Sequence, residues 1–257
     1  MIAPDKPSPK KSSGTDGMGM RPVLQAAKGE LRVLMKAQLS RVTAAELEAQ
    51  SRAVFDALLQ LKVYRDARRV GVYLSMPRGE ILTESIVRHA LAAGKDVFVP
   101  YLHTSPTEIR SKGDPKRVMD MVKLGGLDDY EALEKDAWGI PTVKEAGPER
   151  ILGDGEGREE GCLDLILMPG VAFDVDGKKV RRLGHGKGFY DYFLHRYRAV
   201  YEKSEGPGVR TVLYGLALEE QFLQPKDGVG VPVGPNDSPL DGLVTGGGWI
   251  IEPASEM

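Results

Sequence analysis

A single cysteine, Cys162, stands in 257 residues. That excludes an intrachain disulfide and any cysteine-based metal cluster, and its place just before an apolar run reads as core packing. Histidine is scarce too: the four, at 89, 103, 185 and 195, show no H-x-x-x-H or similar metal spacing. No apolar run approaches the ~20 residues that a membrane-spanning helix needs. An excess of one charge is also missing, the net value being −2. Neither a nucleic-acid partner nor a membrane surface is therefore expected, since both need a broad basic face. Residues 1–20 lack the apolar core of a secretory signal and the amphipathic Arg-rich helix of an organelle presequence. Rich in Pro, Lys, Ser and Gly, they read as a disordered tail. A reducing compartment follows, most simply the cytosol, with mitochondrial import the weaker alternative. A monomer is expected.

What is present supports a folded domain. With 41% hydrophobic residues the chain can bury a sizeable core, and residues 21–257 read as one α/β domain. Gln25–Leu39 carries Leu31, Leu34, Met35 and Leu39 at helical spacing, on one face. Thr43 and Glu46 form a capping box that opens a second helix running to about Lys62. Arg69–Leu74 reads as a strand, Ser75–Gly79 as a loop, and Thr83 as the cap of a helix stopped by Gly94. Val97–Pro100 and Val118–Leu124 read as strands, with a polar exposed loop at 103–117 between them. Leu127–Lys135 reads as a short helix and 144–161, full of Gly and Glu, as a surface insertion. Leu163–Met168, apolar but for Asp164, is a run of the kind a buried central strand gives. A helix at 189–201, a strand at 211–217, a short helix at 219–223 and strands near 243–251 follow. Strands alternating with helices imply a mainly parallel sheet with helices on both faces. Ligands of such sheets sit beyond the carboxyl ends of the strands, which brings Ser75–Glu80 and Pro169–Lys187 to one edge.

The second of those loops carries the chemistry. Three glycines alternate with an imidazole and a cation in Gly184-His185-Gly186-Lys187-Gly188. Glycine lets the backbone approach a ligand closely. Successive N–H groups can form an anion-holding nest, and the helix starting near Phe189 adds its positive end. The spacing is neither that of a dinucleotide-binding G-x-G-x-x-G nor that of a P-loop. Lys178 and Lys179, beside the turn Asp176-Gly177, read as a solvated basic surface. Arg182, His185 and Lys187, next to or among the glycines, are the ligand candidates.

Extended to both sides, the loop resembles the signature of 5-formyltetrahydrofolate cyclo-ligases, also called 5,10-methenyltetrahydrofolate synthetases. The matching residues are Pro169-Gly170, Phe173-Asp174, Gly177, Arg182-Leu183-Gly184, Gly186 and Gly188-Phe189-Tyr190-Asp191. Lys28–Arg32, Tyr73–Met76 with Glu80, Met119–Met121, Trp138–Pro141 and the stretch from Val231 to Asp241 follow in the family's order. The resemblance implies a three-layer Rossmann-like α/β fold akin to the sugar-isomerase and CoA-transferase group. It implies an ATP-dependent, Mg²⁺-requiring conversion of 5-formyltetrahydrofolate, possibly polyglutamylated, to 5,10-methenyltetrahydrofolate, with release of ADP and phosphate. In that reaction the formyl oxygen attacks the γ-phosphate, and N10 then closes on the activated carbon.

Roles follow by position. The resemblance assigns ATP to Lys28, Arg182, Leu183, Gly184, His185, Gly186, Lys187, Gly188, Phe189 and Tyr190. Among these, Arg182, His185 and Lys187 are the catalytic candidates: Arg182 can grip a phosphate bidentately, and Lys187 is a mobile point charge. Folate falls to Leu74, Met76 and Glu80, together with His185–Phe189; a carboxylate such as Glu80 can accept paired hydrogen bonds from a pterin. Asp191 and Asp237 match the Mg²⁺ positions, where hard oxygens suit the ion. Read alone, Asp191 is a first-turn acid and Asp237 a turn residue, and only the resemblance gives them to the metal, while Asp174 and Asp176 belong to the turn with Gly177. His185 departs from the family pattern, which often has Arg there, and Leu24 stands where relatives can be basic. Two other functions fit the same residues: a non-catalytic folate- or nucleotide-binding regulator, and a sugar-phosphate isomerase or CoA transferase.

Overall fold

The computed structural model describes residues 17–104, 115–144, 150–152, 162–177, 179–202, 210–224 and 228–252. Three helices come first: α1 (Gly17–Leu39), α2 (Ala44–Gln60) and α3 (Lys62–Asp66). Strand β1 (Arg69–Val72), α4 (Glu84–Ala92), β2 (Asp96–Thr104), β3 (Arg117–Lys123) and α5 (Leu127–Glu131) follow. Next come β4 (Glu134–Lys135), β5 (Pro141–Thr142), β6 (Arg150–Ile151) and β7 (Leu165–Met168). The hairpin β8 (Ala172–Asp176) and β9 (Lys179–Leu183) leads to α6 (Phe189–Tyr197). Strands β10 (Val212–Ala217), β11 (Gly242–Thr245) and β12 (Ile250–Ile251) complete the set.

Eight strands form the main sheet in the order β12-β11-β10-β7-β1-β2-β3-β6. The five from β11 to β2 are parallel, whereas β12, β3 and β6 pair antiparallel at the two edges. The sheet is thus mixed, and mostly parallel. Strand β7 shows why it needs cover on both faces: Leu165 and Leu167 enter one core with α2, α3 and α4, and Ile166 and Met168 enter another with α6. Alternate side chains of a strand point to opposite faces, so the continuous apolar run makes β7 the middle of three layers. A third, smaller cluster joins Leu31 and Met35 of α1 to Ala172 and Leu183 of the hairpin and to Leu223 and Val231. The middle of the first helix therefore packs over the hairpin, while Leu39 at its end reaches the core of the main sheet.

Local chemistry fixes several ends. The Thr43 hydroxyl accepts the Glu46 N–H at 3.2 Å, and the Glu46 carboxylate accepts the Thr43 N–H at 2.8 Å. That reciprocal box starts α2 as expected, and the Thr43 N–H holds the Glu46 carboxyl below its ordinary range. Gly94, at φ 72°, follows α4 in the left-handed conformation that glycine adopts freely.

Several expectations are corrected. Residues 17–20, read as tail, begin α1; the rest of that tail lies outside the described residues. Leu34, assigned to the buried face of α1, is 55% exposed. The second helix breaks at Leu61, whose extended backbone separates α2 from α3. Thr83 sits at the start of α4 without capping it: its hydroxyl donates to the Tyr73 carbonyl at 2.6 Å and accepts the Ser75 N–H at 3.2 Å. The helix from Leu127 stops at Glu131, and β4 pairs with β5 instead. Strand β2 extends to Thr104, opposite Arg117, so the polar loop is shorter than read. The inserted stretch 144–161 contains β6, with Ile151 fully buried. Most of both segments, and Lys178, lie outside the described residues. Helix α6 ends at Tyr197 and continues as one wide π-type turn, Arg198–Glu202.

Candidate active site

The largest correction lies where the chemistry was expected. Residues 172–176 and 179–183 pair as a hairpin and do not form an open loop. Asp174 is a strand residue, 4% exposed, that accepts two hydrogen bonds from Arg181 and the Val231 N–H at 2.7 Å. Val180 exchanges backbone hydrogen bonds with Leu240. Phe173 is fully buried among the strands. The hairpin is thereby bolted to the carboxyl end of the sheet, and only residues 184–188 remain as the loop into α6.

That loop sits beside the 73–80 segment, as the strand-end argument predicts. His185 Nε2 lies 3.8 Å from Glu80 Oε2, with the Glu80 side chain 5% exposed. The other Glu80 oxygen accepts the Met76 N–H at 2.7 Å, which folds the segment into a tight arc. Gly186 and Gly188 take φ of 95° and 68°, a region closed to most side chains. Lys187 is exposed, with no hydrogen bond or ion pair to the described residues. Tyr190 packs at the meeting of the two larger cores, and its buried hydroxyl has no hydrogen-bond partner. Burial raises the phenols of Tyr190 and Tyr73, and the Glu80 charge adds to both, so both stay protonated.

Arg182 and Leu183 face inward. The Arg182 side chain is 4% exposed and donates to the Pro169 carbonyl at 3.2 Å and to Asp191 at 3.0 Å. Its two terminal nitrogens are thus already engaged, and a free bidentate grip on phosphate is not what this arrangement offers. Leu183 is buried in the α1 cluster, and its carbonyl accepts the Val171 N–H. Phe189 is partly buried against the α6 core. Leu74 is buried, and Leu74 and Met76 line a cleft of about 800 Å³ with Phe55, Pro77, Arg88 and Tyr130. Glu80 and residues 182–191 lie outside that lining.

The first helix supplies two cations. Lys28, 8% exposed, donates to both Asp237 oxygens at 2.7 and 2.5 Å. Arg32, which no role had singled out, donates to the Gly184 carbonyl at 2.8 Å. Burial lowers the Arg32 pKa from its ordinary value and Asp237 opposes that shift. Leu24 packs on the same turn, its methyl 2.6 Å from where a Cβ on Gly234 would lie. Asp191 and Asp237 are neighbours through Ser238, whose N–H reaches Asp191 at 3.1 Å, while the Gly234 N–H reaches Asp237 at 2.6 Å. Each carboxylate balances one cation and keeps spare lone pairs. No group of three or more metal-ligating side chains occurs among the described residues. Such a pair of hard donors fits a Mg²⁺ that draws its other ligands from phosphate and water, and not a protein-built cage.

The fold and this site define an α/β protein of the class that binds ligands at strand ends, with a cationic glycine loop set against a buried carboxylate. Sequence comparison gives the family. The model of the 5-formyltetrahydrofolate cyclo-ligase family matches residues 24–246, and the chain belongs to that family, making it a ligase. The 5-formyltetrahydrofolate cyclo-ligase of Saccharomyces cerevisiae is 32% identical over 225 residues, covering 84% of this chain and 96% of the yeast protein. That of Mus musculus is 31% identical over 222 residues, 85% of this chain and 93% of its own. The fold resembles the solved 5,10-methenyltetrahydrofolate synthetase of Aquifex aeolicus, with TM-score 0.61 and 24% identity over 90% of this chain and 94% of that one. Among the described residues no helix is long and apolar enough to cross a membrane.

Proposed function

We propose that this chain uses ATP to convert 5-formyltetrahydrofolate to 5,10-methenyltetrahydrofolate at the junction of the 73–80 segment, the 184–188 loop and α1. The overall conversion and the use of ATP follow from membership of the family. The juxtaposition of Glu80 with His185 carries the local reading, because it brings a buried carboxylate to within 3.8 Å of the glycine loop. Glu80 keeps one oxygen free of its own loop for the pterin. The loop's backbone amides and the start of α6 offer donors to the ATP phosphates.

An amide-like formyl oxygen is a weak nucleophile, and the γ-phosphate repels it. Catalysis therefore rests on holding the two together and neutralising charge. The formyl oxygen attacks phosphorus as ADP leaves; N10 then adds to the activated carbon, gives up its proton to water, and phosphate departs. Lys187, exposed and without an ion-pair partner among the described residues, follows the transferring group, in keeping with the charge demands of loose phosphoryl transfer. Arg182 acts from below by fixing Asp191, and Lys28 by fixing Asp237. Those two carboxylates would hold Mg²⁺, which offsets the phosphate charge when bound. The wider likeness to the sugar-isomerase and CoA-transferase group goes with this reading of the fold.

The test mixes purified protein with 5-formyltetrahydrofolate and Mg-ATP and follows the near-ultraviolet absorbance of the methenyl product. A steady rise that requires ATP is expected. Binding of both ligands without any rise would favour the non-catalytic regulator.

A further inference from the structure

Gln221 touches three strand ends at once. It closes the short 3₁₀ turn Glu219–Gln221 after β10 and is fully buried. Its Oε1 accepts the Leu218 N–H at 2.8 Å, while Nε2 donates to the Gly170 carbonyl at 2.7 Å and to the Gly79 carbonyl at 3.2 Å. One amide thus ties the segments leaving β10, β7 and β1, which are neighbours in the sheet. Its orientation is fixed by its partners, because a flipped amide would set its oxygen against two carbonyls and its NH₂ against an N–H.

We infer that Gln221 is a positioning residue for the cyclo-ligase reaction, holding the Glu80 segment in register with the hairpin that carries the glycine loop. The inference rests on the reading above of where folate and ATP bind. Gly79 immediately precedes Glu80 and has φ 83°. The Gln221 bond anchors its carbonyl, and with it the start of the Glu80 residue. Gly170 opens the chain into the hairpin, whose own bonds to Leu240, Val231 and Leu223 are independent of Gln221. The Glu80 arc likewise keeps its Met76 bond. Removing the amide therefore leaves each half of the site intact and loosens only the spacing between them. Reaction between two bound substrates is sensitive to that spacing, a misplacement of ~1 Å costing on the order of 100-fold.

Gln221→Met keeps the length of the side chain and deletes its hydrogen bonds. Calorimetry measures ATP binding without folate and 5-formyltetrahydrofolate binding without ATP. Both Kd values are expected to stay within about twofold of wild type, while kcat falls at least about tenfold. Gln221→Glu supplies a second readout. A protonated carboxyl restores one donor and a carboxylate restores none, so kcat of this variant should fall with rising pH through a step that the wild type lacks. Failure of the wild type to make methenyl product would sink the reading of the site itself. A wild-type rate with a Gln221→Met kcat inside about twofold, whatever the loss of thermal stability, would sink the positioning role alone. If Gln221→Met does not fold, Gln221→Glu decides: a pH profile shaped like that of the wild type overturns the inference.

Discussion

Gly170→Ala puts a methyl group where the Phe173 ring already lies. A Cβ at 170 would stand 2.4, 2.8 and 3.0 Å from three atoms of that ring, whereas carbons in contact need about 3.5–4.0 Å. The ring has little room to retreat. It is fully buried, and one of its edge carbons lies 2.7 Å from where a Cβ on Gly215 of β10 would be. Phe173 is thus slotted between glycines belonging to two neighbouring strand segments. Relief needs a shift of about 1 Å, either by the ring or by a backbone whose Gly170 carbonyl is held by Gln221. Overpacking a core costs ~1–3 kcal/mol, and a site closed on both sides belongs at about 3. For a domain of this size that lowers Tm by roughly 6–12 °C. Urea unfolding followed by tryptophan fluorescence, with calorimetry beside it, measures the loss. The double variant Gly170→Ala/Phe173→Leu removes the clashing ring atoms, so its loss should fall short of the sum of the singles by at least ~1 kcal/mol. A loss below about 1 kcal/mol for Gly170→Ala, or simple additivity in the cycle, refutes the slot.

Other perturbations reach the site and the frame separately. Lys187→Ala should leave stability within about 0.5 kcal/mol yet cut turnover on the order of 100-fold with folate affinity kept; equal loss of both would make Lys187 a folate contact. Asp237→Asn should raise the Mg²⁺ concentration for half-maximal activity about tenfold, or 1.4 kcal/mol, and an unchanged requirement removes Asp237 from the metal site. Asp120, 1% exposed, joins His103 at 2.7 Å to Arg196 of α6 at 2.8 Å. Asp120→Ala should therefore cost about 3 kcal/mol in denaturant titration, and a loss under ~1 would show the network to be dispensable. Burial pushes the Tyr64 phenol up to about 12, and raises Tyr197 and Tyr214 as well. The fold keeps protons that the unfolded chain releases near pH 10, so stability is whole below ~10 and declines from there through ~12. Tyrosinate absorbance from these residues should then appear together with unfolding; smooth titration near pH ~10 in the folded protein contradicts this.

How much of this was readable in the sequence depends on the kind of signal. Strand β7 was plain because Leu165–Met168 is apolar throughout, and α2 because Thr43 and Glu46 are spaced for mutual capping. The meeting of the Glu80 and glycine segments followed from strand-end geometry alone. The hairpin did not show, because its glycines and crowded cations read as an open ligand loop, with Arg182 as a phosphate ligand. In fact Arg182 points inward to Pro169 and Asp191 while Arg181 is neutralised by Asp174 and Asp176. Burial of a charge depends on partners that a linear reading does not contain. Gln221 was equally hidden, since in a short helix at 219–223 it reads as one more polar side chain beside Glu219 and Glu220. The two-residue strands β4, β5 and β6 are too short for any periodicity to announce them.

The pairing of Lys28 with Asp237 spans 209 positions of the chain. During synthesis α1 leaves the ribosome 209 positions ahead of the carboxylate that holds its ammonium. Contacts between distant segments form only after a long loop has been drawn shut, which slows folding. This corner of the site therefore stays open in every nascent intermediate. A chain cut short before the 234–238 turn leaves Lys28 without that carboxylate, so the Lys28–Asp237 contact reports that synthesis has passed the turn.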